Sequence, residues 1–311
     1  MLKIARFRDV WTKCPLTRLY TQKVNIGVIG ADLQKEIDKM QRIRPSGQPP
    51  KVWQQIEKKD KDGKLMKFTI QEIPEDRYEE AVQHMCTFFL ADEPSCRCLN
   101  YFYFYSILFF DLSGYMLHLF FVTFCSFFFV DAVNDPLFIQ DISTLWRLLV
   151  AQGISIAAFT DNPNGGKPVI AGMNTLGVNI KNTKDSISGY QFKSENCKHV
   201  LEIVAGSTKI VYEHYKVDKY LYAIGLSVDS DYRGYGLGKD ILKIRDLIGP
   251  MYGVPATSTV FSSIISQKSA AGAGFEVLAI KNFADMVDKN GKEYFPGIDS
   301  KDFKIMAKRL S

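Results

Sequence analysis

The chain has 311 residues, 46% of them hydrophobic, and a formal net charge of +5, a length that fits one large domain or two small ones. So small a charge, with no stripe of Lys and Arg interleaved with aromatics, argues against a nucleic-acid surface but suits a pocket for a polyanion. Six cysteines, at positions 14, 86, 96, 98, 125 and 197, lack zinc spacing, and Cys96-x-Cys98 is too close for a metal pair; reduced cytosolic thiols and no metal site are expected.

Taken in chain order, Met1 to Lys23 is basic, with Asp9 its only acid, and lacks the long apolar core of a secretory signal. A short basic tail on a cytoplasmic protein is the expectation, and a mitochondrial presequence is the alternative. Ala31 to Arg44 predicts a polar helix and Pro45 to Pro50 a linker, so residues 1–50 form an expected peripheral extension ahead of a domain at 51–311. Phe68 to Ile70 predicts a strand. Pro74-Glu75-Asp76 opens a helix with Tyr78, Ala81, Val82 and Met85 on one face, continued by Phe88, Phe89 and Leu90 and ended by Asp92-Glu93-Pro94. Asp135 to Gln152 is amphipathic through Phe138, Ile142, Leu145 and Leu149 and stops at Gly153. Ile154 to Thr160 and Val169 to Ile180 flank the turn Asn162 to Gly166 as a hairpin. After a polar loop, Lys184 to Gly189, a helix is predicted over Lys198 to Tyr215 and a buried strand over Tyr222 to Val228. Thr257 to Phe261 predicts a strand, Ser266 to Ala273 a short helix closed by Gly274, and Glu276 to Ile280 with Phe303 to Lys308 a last pair of strands. This order predicts an α/β domain with a mixed central β-sheet flanked by helices. The histidines, His84, His118, His199 and His214, are scattered and read as structural.

Tyr101 to Val130 interrupts the pattern, with Asp111 and His118 its only ionisable side chains. Leu112 to Val130 has nearly the length of a membrane span, which needs ~20 residues. One crossing, however, would place strands of a single sheet on opposite sides of a bilayer, and two crossings would need about twice the apolar length. No membrane association is expected. Phe, Tyr, Leu and Ile are what T-rich codons encode, so the segment reads as translated intron sequence, ahead of a genuine hydrophobic insertion. Exposed, so many aromatics would promote aggregation.

The strand ending at Val228 runs into Gly234, Gly236 and Gly238 on alternate positions, then Asp240-Ile241-Leu242-Lys243-Ile244 with helical spacing. Strand, glycine turn and helix gather backbone N–H groups at a positive helix end, where a pyrophosphate can sit. Arg233 and Lys239 bring side-chain charge to the same anion. A Walker loop fails, because Asp240 follows Gly238-Lys239 and Arg233 stands at the first glycine position. The dinucleotide fingerprint fits poorly, with Gly-x-Gly-x-Gly spacing late in the chain. The pattern Arg-x-x-Gly-x-Gly, met by Arg233, Gly236 and Gly238, resembles the coenzyme A pyrophosphate loop of the GNAT acyltransferases.

Three further stretches, Phe68 to Val82, Phe88 to Pro94 and Phe261 to Lys268, resemble the insect arylalkylamine N-acetyltransferases; the resemblance covers residues 51–100 and 131–311. It implies the GNAT acyl-CoA N-acyltransferase fold and acetyl-CoA as co-substrate, held by Leu226, Ser227, Val228, Arg233, Gly234, Tyr235, Gly236, Leu237, Gly238 and Lys239. It implies a small aromatic amine as acceptor, such as dopamine, tyramine, octopamine or serotonin, in monoamine metabolism. Glu93 of the Asp-Glu-Pro motif is the implied general base, and its place beyond an apolar helix face would raise its pKa by burial. Ser262 and Ser266 match serines proposed in the family to assist amine deprotonation or thiolate protonation. Their spacing of four puts both on one helix face if the helix begins at Ser262, with Ser263 read as a cap. The stretch Ser269 to Ala273 lacks the tyrosine acid of many GNAT enzymes, and Gly272 should weaken its helix by ~1 kcal/mol. Phe88, Phe89 and hairpin aromatics either line a ring pocket or belong to the core. A monomer is expected. The alternatives are a GNAT enzyme for polyamines or protein amines, and a non-catalytic acyl-CoA-binding protein whose acceptor half the insertion has broken.

Overall fold

The computed structural model describes residues 35, 37, 42–59, 62–98, 135–183 and 190–310. The expectations for Met1 to Lys23, Tyr101 to Val130 and Lys184 to Gly189, and most of the predicted helix before Arg44, fall outside them. Eight strands form one sheet: β1 (Val52–Lys59), β2 (Leu65–Glu72), β3 (Ile156–Thr160), β4 (Val169–Ile180), β5 (Lys219–Val228), β6 (Ala256–Phe261), β7 (Glu276–Asn282) and β8 (Asp302–Arg309). Their spatial order is β1-β2-β3-β4-β5-β6-β8-β7, antiparallel except for β5 and β6. The predicted hairpin is β3–β4, and the predicted last pair is β7–β8, with β8 inserted beside β6. Sequence reasoning missed β1, an edge strand with no buried residue, in which Val52, Trp53 and Ile56 are scattered among polar and charged side chains without alternation.

The sheet is covered on both faces, which is why its central strands read as unbroken apolar runs. Along β5, Tyr220, Tyr222 and Ile224 join one core with the helices α1 (Tyr78–His84), α3 (Pro136–Ala151), α4 (Glu195–Thr208) and α5 (Ile210–Tyr215), whereas Leu221 and Ala223 join the other. That second core receives α6 (Leu237–Lys243) and α7 (Arg245–Met251) through Leu237, Ile241 and Ile248. The predicted helix over Lys198 to Tyr215 starts three residues earlier and breaks at Lys209. Between α1 and α3 lies a short helix, α2 (Pro94–Arg97), and after β6 comes α8 (Ile264–Gly272). Helix α3 begins and ends as its sequence directs: Asp135 accepts from Leu137 N at 2.9 Å, Pro136 sits at the first helical position, and Gly153 takes φ +85° just past the end.

Two features position the centre of the sheet. First, β5 and β6 pair only at Leu221 and Thr257, so the two strands part beyond that point. Second, one residue of β4, Thr175, faces two of β5, Ile224 and Gly225, making a bulge. Gly225 has φ +98°, and a Cβ there would lie 2.3 Å from Met85 Cε and 3.3 Å from the Phe89 ring.

The stretch expected to be peripheral is anchored where it is described. Ile43 N and Arg44 N both donate to Gln152 O. The Arg44 guanidinium, 1% exposed, pairs with Glu72, 0% exposed, at 3.0 Å, and Glu72 also accepts from Lys51 N and Tyr252 OH. Among the described residues no helix is long and apolar enough to cross a membrane.

Arg44→Met should cost about 3–5 kcal/mol by chemical denaturation, because it strands a buried carboxylate. Lys167→Met, at an exposed pair with Asp76, should cost less than about 1 kcal/mol. Gly225→Ala should cost roughly 2–4 kcal/mol, combining a positive φ with a blocked Cβ site. Gly234→Ala, at φ +91° with nothing within 4 Å, should cost only about 1–2 kcal/mol in the same assay.

Candidate active site

Helix α1 continues through a wider turn, Met85–Phe89, and a last helical turn, Leu90–Asp92, before the chain kinks at Glu93, whose φ of −68° and ψ of 121° are extended. The kink is local chemistry: Pro94 disfavours the helical conformation in the residue before it and then starts α2. Glu93 is thereby turned toward the end of β6. Its Oε2 accepts from Ser262 Oγ at 2.8 Å and its Oε1 from Ser95 Oγ at 3.0 Å. Burial raises its pKa above the ordinary carboxylate value, and the two hydroxyls hold part of that rise down.

Glu93 lines a cavity of about 150 Å³ whose walls include Phe89, Phe138, Ile142, Leu201 and Val204, with Asn174, Thr259 and Arg245 contributing polar atoms. Phe89, Asp92, Leu226, Ser263 and Ser266 border both this cavity and a second, larger cleft of about 1020 Å³. That cleft runs along the end of β5 and the glycine turn, lined by Leu226, Ser227, Val228, Arg233, Gly234, Gly236, Leu237, Gly238 and Lys239. Tyr235 is the exception among the ten residues expected to hold the cofactor. It turns into the core, its ring 5.5 Å from that of Phe68. The cleft has five cations, Arg97, Arg233, Lys239, Lys301 and Lys304, against three acids, Asp92, Asp299 and Asp302.

The turn is built for a backbone-lined cradle. Gly234 and Gly236 have φ of +91° and +75°, with nothing within 4 Å of a built Cβ, and Gly236 leads directly into α6. Ser227 Oγ lacks a hydrogen-bond partner although the residue is 4% exposed and lines the cleft. Arg233 is engaged within the chain: it forms an ion pair with Asp92, and its Nε donates to Val228 O at 3.2 Å. Burial raises the Asp92 pKa, and Arg233 opposes that rise.

The serines divide differently from the expectation. Helix α8 begins at Ile264, not Ser262, so Ser262 and Ser266 do not share a helix face. Ser262 sits at the end of β6 with its hydroxyl on Glu93. Ser263 is the N-cap as expected, its Oγ accepting from Ser266 N at 3.1 Å, and the Ser266 Oγ closes the reciprocal capping box by accepting from Ser263 N at 3.3 Å. Gly272 is the last residue of α8, and a Cβ there would meet Lys239 Cδ at 3.1 Å. At the helix end the full cost of an interior glycine does not apply.

Phe89 lines both spaces, while Phe88 stacks on His84 with centroids 4.8 Å apart and lines neither. The hairpin contributes Asn174 rather than an aromatic. Arg245, Thr259, Lys301 and Lys304 carried no motif and were not singled out by the sequence. The four described cysteines, Cys86, Cys96, Cys98 and Cys197, are free and buried, and among the described residues no cluster could hold a metal ion.

No family model and no curated protein matches the chain. Solved structures do. The protein designated arylalkylamine N-acetyltransferase 7 of the yellow fever mosquito Aedes aegypti superposes with a TM-score of 0.68 at 26% identity, covering 88% of this chain and 100% of its own. Arylalkylamine N-acetyltransferase 2 of Aedes aegypti gives 0.56 at 21% identity over 78% of this chain and 99% of its own. A Drosophila melanogaster polyamine N-acetyltransferase that forms N-acetylagmatine gives 0.56 at 13% identity over 78% of this chain and 100% of its own. The mixed sheet flanked by helices is therefore the GNAT acetyltransferase fold, and insect arylalkylamine N-acetyltransferases are structural neighbours of this chain.

Proposed function

We propose that the chain is an acetyl-CoA-dependent N-acetyltransferase that acetylates the primary amine of small arylalkylamines such as dopamine, tyramine, octopamine or serotonin. The observation that carries this reading is the placement of Glu93. A carboxylate with a raised pKa stands beside an apolar, aromatic-edged cavity, which adjoins a cationic, glycine-lined cleft. The cleft suits acetyl-CoA, because it offers open backbone at Gly234 and Gly236, a buried hydroxyl without a partner at Ser227, and net positive charge.

When bound, acetyl-CoA supplies an activated acetyl group as a thioester. The rest falls to this chain's residues. Glycine-turn N–H groups and Lys239 hold the phosphates, with the Arg233 guanidinium adding its charge while it stays paired with Asp92. Backbone N–H groups freed where β5 parts from β6 bind the arm and polarise the carbonyl. The acceptor arrives as an ammonium ion and must lose one proton before its nitrogen can form the amide bond. Glu93 accepts that proton, directly or through the Ser262 hydroxyl already bonded to it. As the C–N bond forms and the C–S bond breaks, the nitrogen's second proton passes to the departing thiolate, with Ser266, on the border of both spaces, as the relaying hydroxyl.

Full-length protein mixed with acetyl-CoA and each amine should release free thiol, read by a colorimetric thiol reagent. No release with any of the four sinks the arylalkylamine reading and leaves a GNAT enzyme for other amines, or acyl-CoA binding alone. Glu93→Ala should lower kcat/KM by about a hundredfold to ten-thousandfold. For the intact enzyme, activity should fall as pH drops through the raised Glu93 pKa, since a protonated carboxyl cannot take the amine's proton. Glu93→Ala should abolish that acid limb. Ser262→Ala removes a donor that holds the Glu93 pKa down, so the limb should move to higher pH. A limb that stays in place in both variants would show that another group is the base.

A further inference from the structure

Arg245 opens α7 directly behind the parting of β5 and β6, and its side chain is 1% exposed. Its guanidinium is held entirely by neutral groups. Nε and Nη2 donate to Asn174 Oδ1 at 3.2 and 2.7 Å, and Nη1 donates to Thr257 Oγ1 and Thr259 Oγ1, both at 2.8 Å. The Phe275 ring lies 5.5 Å from its Cζ. Among the described residues no carboxylate forms an ion pair with it. A buried cation without a counter-charge is uncommon, because burial without pairing carries a large desolvation cost. Arg245 and its partners Asn174 and Thr259 all line the cavity beside Glu93.

The two acids of that cavity are already committed. Asp92 is paired with Arg233, and Glu93 is the group placed to receive the reacting ammonium. A second positive charge farther along the acceptor would find no free carboxylate among the lining residues. It would instead share a small, largely apolar space with a fixed guanidinium. We propose that Arg245 is a charge filter of the acceptor cavity, admitting amines with neutral tails and rejecting amines with a second cation. The proposal rests on the acetyltransferase reading and deepens it, since it separates arylalkylamines from diamines and guanidino amines. Discrimination of this kind comes from repulsion of the wrong substrate as much as from contacts with the right one. Burial also lowers the Arg245 pKa, to about 9, which leaves the group charged at neutral pH.

The test uses two acceptors of one shape, para-(aminoethyl)benzamide and para-(aminoethyl)benzamidine, which differ in the charge of the tail. With full-length wild-type protein, kcat/KM for the amide should exceed that for the amidine by about thirtyfold or more, as like charges at short range in a poorly solvated site require. Arg245→Gln should bring the ratio within about threefold, chiefly by improving the amidine, and Arg245→Lys should keep most of the discrimination because it keeps the charge. Equal use of both acceptors by the wild type, or an unchanged ratio in Arg245→Gln, overturns the proposal. If the variants do not fold, the wild-type ratio alone decides. If neither compound is acetylated, calorimetric binding to the wild type decides instead: tighter binding of the amide keeps the filter while the acetyltransferase reading falls. Equal affinity, or no binding of either, removes the filter as well.

Discussion

The parting of β5 from β6 beyond Leu221 is the constraint on which the centre of this molecule depends. A parallel pair that opens inside a domain leaves backbone N–H and C=O groups on the facing edges, and buried groups of that kind must find partners. Here the carbonyls of the β5 bulge are taken by side chains. Ile224 O accepts from Trp146 Nε1 at 2.9 Å and from Thr175 Oγ1, and Gly225 O accepts from Asn174 Nδ2 at 2.7 Å. Asn174 passes the connection on to Arg245, which reaches β6 through Thr257 and Thr259. A chain of side-chain bonds from β4 to β6 thus stands where ladder bonds are missing. The opening is held at a fixed width without being closed.

The same opening explains why two different spaces meet there. On one side the freed edge of β5 continues into the glycine turn, which exposes backbone; on the other the gap is floored by the apolar faces of the helices packed on β5. The kink at Glu93 comes between them because Pro94 forbids the helix to run on. A carboxylate delivered by a helix end, instead of by a loop, is held by packing on both sides. Phe89 and Met85, one and two turns back from it, press against Gly225 of the bulge. Bulge, helix and carboxylate are therefore parts of one contact.

The legible parts of the sequence were those fixed by local rules. Helix α3 carries its own start and stop in Asp135, Pro136 and Gly153, and β5 is apolar on both faces because both are covered. Glu93 and the glycine turn were legible for the same reason, since a proline and positive-φ glycines act on their immediate neighbours. What sequence did not show depends on contacts between distant elements. Arg245 looks like an ordinary helix-surface arginine until Asn174, Thr257 and Thr259 are brought around it. Arg44 looks like part of a polar tail until Glu72 is placed opposite it in the interior. Tyr235 sits among glycines that face the cleft, yet its ring belongs to the second core. Ser262 and Ser266 look like helix neighbours, but the cap falls between them and gives them different partners.

Charge is held in two ways on the two sides of the opening, and the difference has a physical consequence. In the cleft, Arg233 and Asp92 are each about half exposed, at 47% and 49%, so their ion pair contributes little and water can follow its movements. In the cavity, Arg245 is locked by four donated bonds and Glu93 accepts two, and neither can relax its surroundings without breaking buried hydrogen bonds. A polyanion can therefore be accommodated on the cleft side by side-chain rearrangement at the surface. An acceptor on the cavity side must match a fixed arrangement of one carboxylate, one cation and an apolar wall. Tolerance on one side and selectivity on the other thus follow from how deeply each charge is buried.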